Sequence, residues 1–123
     1  VTIEVVSKLD SQVVYQIASD TPVVPVDPKS LTVMPGWVRP ESRPGTTKGS
    51  HRFVWDLRLA AKGGRSGLPI SAVWGDTPLG PQGPFVAPGE YEVRITIENT
   101  SGEKRKIGLL QPLEVRADPR KAN

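Results

Sequence analysis

Glu90 to Glu98 reads EYEVRITIE, and its alternation is unbroken. Tyr91, Val93, Ile95 and Ile97 point one way, and Glu92, Arg94, Thr96 and Glu98 the other. A period of two is that of a strand with one buried and one wet face. Pro88-Gly89 ahead of it makes a tight turn, because proline presets φ and glycine accepts φ > 0. Asn99 to Glu103 (NTSGE) reads as a hairpin loop. Lys106 to Arg116 (KIGLLQPLEVR) returns from it, with Leu113 and Val115 inward and Pro112 breaking or bulging the strand. The fold is therefore read outward from a C-terminal hairpin.

The N-terminus repeats the pattern. Val1 to Val6 (VTIEVV) sets Ile3 and Val5 against Thr2 and Glu4, Lys8 to Gln12 turns, and Val13 to Ala18 (VVYQIA) resumes in β-branched and aromatic residues. Between the two hairpins, His51 to Leu59 (HRFVWDLRL) reads as the strongest strand. Phe53, Trp55, Leu57 and Leu59 share one face. Burial of Phe53 and of Trp55 is worth roughly 2–3 kcal/mol each, which makes this the expected core strand.

Glycine and proline, 12 and 13 of 123 residues, make up about a fifth of the chain against a usual ~12%. They concentrate in Ser19 to Ser50 and Ala60 to Gly89. Neither span can be a central strand, since proline lacks the ladder N–H. Leu31 to Met34 and Leu68 to Trp74 are the apolar pieces within them that fit short edge strands. The first span reads as an extended connection crossing from one sheet to another, and its length marks it as mobile or partner-facing. Short strands, turn signals and no amphipathic helical run give an all-β chain, an immunoglobulin/fibronectin-III-like sandwich of about seven strands. The Trp55, Tyr91 and last strands are expected in one sheet, and the N-terminal hairpin in the other. Residues 1–123 form one domain.

Composition narrows the function. There is no Cys and one His, which removes thiol catalysis, thiolate metal sites and disulfides. A formal charge of +3 is low for a dedicated nucleic-acid binder, and Lys104, Arg105 and Lys106 read as a solvated hairpin tip. No apolar stretch approaches the ~20 residues of a membrane span. The chain starts without Met, already in a strand-like pattern, and so reads as a processed product or a piece cut from a longer protein.

Three pieces carry a family likeness: Gly49-Ser50-His51-Arg52-Phe53-Val54-Trp55-Asp56-Leu57-Arg58; Gly83-Pro84-Phe85-Val86-Ala87-Pro88-Gly89-Glu90-Tyr91-Glu92-Val93-Arg94; and Gln111-Pro112-Leu113-Glu114-Val115 running to Asp118-Pro119-Arg120. Together they resemble the C-terminal immunoglobulin-like domain of secreted bacterial proteins with BNR/sortilin-type β-propeller repeats, often labelled glycosyl hydrolases. The turn Leu9-Asp10-Ser11-Gln12 departs from that pattern, which carries a glycine there. The resemblance implies a secreted or periplasmic accessory domain whose partner is the neighbouring propeller of the same parent chain. It brings no catalytic residue, cofactor or metal with it.

The residues themselves point the same way. Phe53, Trp55, Leu57, Tyr91, Val93 and Ile95, with Leu113 and Val115, are the expected core. Tyr91, just after Pro-Gly, is placed to bury its ring and send its hydroxyl back to a loop backbone. Arg52, Asp56 and Arg58, on one strand face, suit a cross-strand ion pair with Glu92 or Arg94. His51 has no nucleophile at a useful spacing. Asp20, Asp27 and Asp76 lie in loops but lack the spacing of a calcium loop. Trp37 and Trp74, outside the best strands, are the ligand or interface candidates. Two exposed coplanar rings would make a sugar platform and a carbohydrate-binding module with polysaccharide as partner; rings packed into loops would favour the accessory domain. A small enzyme is the least favoured reading, since no carboxylate pair is singled out.

Overall fold

The structure, a computed structural model, describes residues 1–22, 27–31, 33–40, 42–60, 74–78 and 82–121. Among these the chain is all-β, built on one open antiparallel sheet. Its strands are β1 (Thr2–Ser7), β2 (Val13–Ala18), β3 (Gly89–Glu98) and β4 (Lys104–Val115), in the order β2-β1-β3-β4. Three short 3-10 turns, Pro28–Ser30, Pro35–Trp37 and Pro119–Lys121, each start on a proline, whose fixed φ suits a first helical position.

Both hairpins stand where the alternation puts them, but they share a sheet. β1 pairs with β3 from Thr2↔Thr96 to Ser7↔Tyr91. This corrects the assignment of the N-terminal hairpin to a second sheet. The apolar residues explain the pairing: Ile3 meets Ile95 and Val5 meets Val93, so the apolar faces of the two hairpins become one. Strand alternation shows which face a residue takes and leaves the neighbouring strand open.

Two irregularities shape the sheet. Between β1 and β2 the register slips, from Val5↔Tyr15 to Val6↔Val13, leaving Val14 as a bulge. The Val14 carbonyl accepts the Ala60 N–H at 3.1 Å, so the bulge holds a segment from outside the sheet. Between β3 and β4, Val93 faces Gln111 and Ile95 faces Ile107. β4 thus advances four residues while β3 advances two.

Residues 51–60 do not form the expected strand. They cross over the sheet's apolar face, and their one strand-like bridge is Arg58↔Phe85. Phe53 and Trp55, both half-buried, do face the same way, with ring centroids 6.4 and 5.8 Å from Tyr15. Alternation then fails at Leu57, whose φ of 59° turns the chain and leaves its side chain 39% exposed. Leu57 is therefore outside the core. The turn is held by Asp56 Oδ1, which accepts the Arg58 N–H at 3.2 Å, and by Trp55 Nε1, which donates to the Arg58 carbonyl at 3.0 Å. Beyond it, the Leu59 N–H donates to Pro84 O and the Val86 N–H to Leu57 O. Gly83 is buried there against the Leu59 carbonyl, where any Cβ would collide with it.

The core is small and lies toward one end of the sheet. Val5, Val86 and Tyr91 are buried, with Val14, Tyr15, Trp55, Leu59, Leu113 and Val115 packed against them. Trp55 meets Tyr91 edge to face at 6.4 Å, a favoured aromatic geometry. The Tyr91 hydroxyl donates to the Ala87 carbonyl at 2.6 Å, fastening the entry to β3. Val93 is half-buried on the same face. Ile95, two residues on, is 38% exposed and leaves the core, because among the described residues the covering segments reach only part of that face. Leu31 to Met34 is not a strand in its described residues, and Leu68 to Val73 lies outside the described residues.

Candidate functional site

Two surfaces stand out. The first follows from the register. Ile17 pairs with Ile3, Ile3 with Ile95, and Ile95 with Ile107. One isoleucine from each strand thus forms a row across the whole sheet, on the same face as Val5 and Tyr91. Ile3 and Ile17 are half-buried, while Ile95 and Ile107 are 38% and 45% exposed. Ile3 and Ile95 were legible as members of apolar strand faces; the row was not, because it depends on a pairing between distant hairpins and on the β4 slip.

The second surface is built by loops. Pro35–Trp37 forms a 3-10 turn, with Met34 O accepting the Trp37 N–H at 2.9 Å. The chain then runs beside Thr77: the Arg39 N–H donates to Thr77 O at 2.7 Å and the Thr77 N–H to Trp37 O at 3.0 Å. This crossing lays the Trp74 ring on Gly36, where an added Cβ would come within 2.7 Å of the ring. Trp37 and Trp74 meet at 6.2 Å with an interplanar angle of 69°. The structure thus brings the two tryptophans together, but edge to face and not coplanar. Trp37 is half-buried as a prop, and Trp74 is 71% exposed. A flat two-ring platform is absent from this pair.

A chain of charges leads away from the tryptophans. Asp76 Oδ1 accepts from Arg39 Nε at 2.7 Å, Arg39 Nη1 lies 3.6 Å from Asp56 Oδ2, and that oxygen lies 3.7 Å from Arg58 Nε. The Arg58 guanidinium sits 3.9 Å over the ring of Phe85 and donates from Nη1 to Gly83 O at 2.9 Å. Asp56 therefore pairs with Arg39 and Arg58, and not with Arg94. Glu92 and Arg94 pair with each other at 3.6 Å on the opposite sheet face. Burial, and then the negative charge of Asp56, push the Tyr15 phenol above its ordinary value. Neither Arg39 nor Gly36 carries a sequence signal, since their roles arise only from the crossing with residues 74–78.

The other candidates have local tasks. His51 packs over Gly45, and its Nε2 hydrogen-bonds the Thr47 carbonyl at 2.6 Å. Asp27 caps the Pro28–Ser30 turn through the Lys29 N–H. Among the described residues, no group of three or more His, Cys, Asp or Glu side chains could hold a metal ion, and no helix is long and apolar enough to cross a membrane. No family model, curated protein or solved structure matches this chain.

Proposed function

We propose that this chain is a non-catalytic accessory domain, immunoglobulin- or fibronectin-III-like, that docks on a neighbouring domain through the isoleucine row of its sheet. The observation that carries the reading is the row Ile17–Ile3–Ile95–Ile107, with Ile95 and Ile107 more than a third exposed. A domain of this size usually closes its apolar sheet face with its own chain. An apolar row left open at its β3 and β4 end marks a surface that a partner covers. Covering it is worth roughly 25 cal/mol for each Å² of apolar area removed from water. The motif likeness of residues 49–58, 83–94 and 111–120 suggests the partner: a secreted or periplasmic BNR/sortilin-type propeller in the same parent chain.

Calorimetric titration of the domain against the separately produced remainder of its parent protein tests the reading. The wild type should bind saturably. An Ile95→Lys/Ile107→Lys double variant should still unfold cooperatively, at a lower midpoint, because both positions keep more than a third of their surface in water, and should lose that binding. A wild type that ignores the remainder, or a double variant that binds it undiminished, refutes the proposal.

A further inference from the structure

We propose that the loop surface around Trp74 is a binding site for a neutral saccharide, with Trp74 as the stacking ring and the Arg39–Asp76 pair as its hydrogen-bonding flank. It shares no residue with the isoleucine row and does not depend on the docking reading.

The argument starts from the seating of Trp74. A tryptophan that is 71% exposed contributes little to a core, yet this one is fixed in place. Its ring lies on Gly36 and against the edge of Trp37. The loops beneath are joined by two backbone hydrogen bonds, between Arg39 and Thr77 and between Thr77 and Trp37. Gly36 serves here through its missing side chain, since a Cβ would push the ring away. An aromatic group held out in water in a fixed orientation has already lost the freedom that binding would otherwise cost it.

The neighbouring groups decide the ligand class. Small-molecule sites combine an apolar surface with a few placed polar groups. A pyranose ring matches that combination, with a C–H face to stack on the indole and hydroxyls around its rim. Arg39 spends Nε and Nη1 on Asp76 and Asp56, and Asp76 spends Oδ1 on Arg39. The guanidinium has five N–H donors and the carboxylate two acceptor oxygens, so the pair has donors and acceptors to offer vicinal hydroxyls. The two charges cancel, and Asp56 stands next to them. Arg58 balances Asp56 in turn, so the flank carries no net charge to attract a uronate or sulfate, which favours an uncharged sugar. The T-shaped packing gives a single stacking ring in place of a two-ring platform, so the expected site grips one residue of an oligomer.

The test is isothermal calorimetry of the whole chain with cellohexaose, mannohexaose and xylohexaose as neutral probes and a hyaluronan hexamer as the acidic one. At least one neutral oligomer should bind saturably, with an affinity that barely changes with salt. Trp74→Ala should lower that affinity about tenfold or more, equivalent to about 1.4 kcal/mol, while melting as the wild type does. Asp76→Ala should weaken binding in the same direction, which keeps the proposal testable if Trp74→Ala misfolds. The proposal fails if no neutral oligomer binds. It fails equally if binding survives both substitutions, if only hyaluronan binds, or if Trp74→Ala instead abolishes binding to the remainder of the parent protein.

Discussion

Ser11 and Leu57 have φ angles of 57° and 59°, in the left-handed region where a Cβ costs about 1–2 kcal/mol. Ser11 closes the β1–β2 turn, between Ser7 and Val13. Ser11→Gly should therefore raise stability, by up to about 1 kcal/mol once the greater freedom of glycine in the unfolded chain is subtracted. A urea midpoint that falls in this variant would contradict the assigned turn. Tyr15 is the other informative single residue. Its phenol titrates above the ordinary 10.0, through burial first and Asp56 second. The unfolded chain then releases this proton before the folded one does. The associated stability is complete below the ordinary value and is lost as pH rises through the folded one. Ultraviolet titration in a Tyr91→Phe background isolates Tyr15; its midpoint should lie above 10.0 and move down in Asp56→Asn. A midpoint at or below 10.0 would show an exposed Tyr15.

At the scale of elements, the sheet rests on its four strands, and the layer above it rests on a few side chains. Trp55 links both, through its contacts with Tyr15 and Tyr91 and its indole hydrogen bond to Arg58 O. Trp55→Ala should cost about 3 kcal/mol, the low end for truncating a large aromatic, because the ring is only half-buried. A loss below about 1 kcal/mol would mean that residues 51–60 do not pack on the sheet. The Arg39 ion pairs are exposed and worth under about 1 kcal/mol together; the backbone crossing holds those loops. The strands were legible because each is written locally, in the alternation of Thr2–Ser7, Val13–Ala18 and Gly89–Glu98. The segment at 51–60 was not. Its alternation through Phe53 and Trp55 is real, but one left-handed residue, Leu57, ends it, and leucine gives no warning of that conformation.

Among the described residues, the molecule is a sheet with the apolar face of Val5 and Tyr91 half covered. Tyr91, Leu113 and Val115 end under the crossing segments, and Ile95 and Ile107 do not. Sequence shows that Tyr91, Ile95, Leu113 and Val115 point inward, and it cannot show how far the covering segments reach, since that depends on Val14 O catching Ala60 and on Gly83 admitting Leu59. The candidate site was legible to a similar depth. Trp37 and Trp74 could be singled out as aromatics in glycine-rich loops, but their edge-to-face contact and the Arg39–Asp76 flank depend on a crossing between segments far apart in the chain. The measurement that bears most directly on the central claim is methyl NMR of isoleucine-labelled protein with a soluble paramagnetic probe, on the domain alone and within the propeller-bearing parent protein that the proposed docking implies. The methyls of Ile95 and Ile107 should be strongly broadened in the isolated domain and protected in the parent. Methyls already protected in the isolated domain, or still broadened in the parent, would contradict a docking face on this sheet.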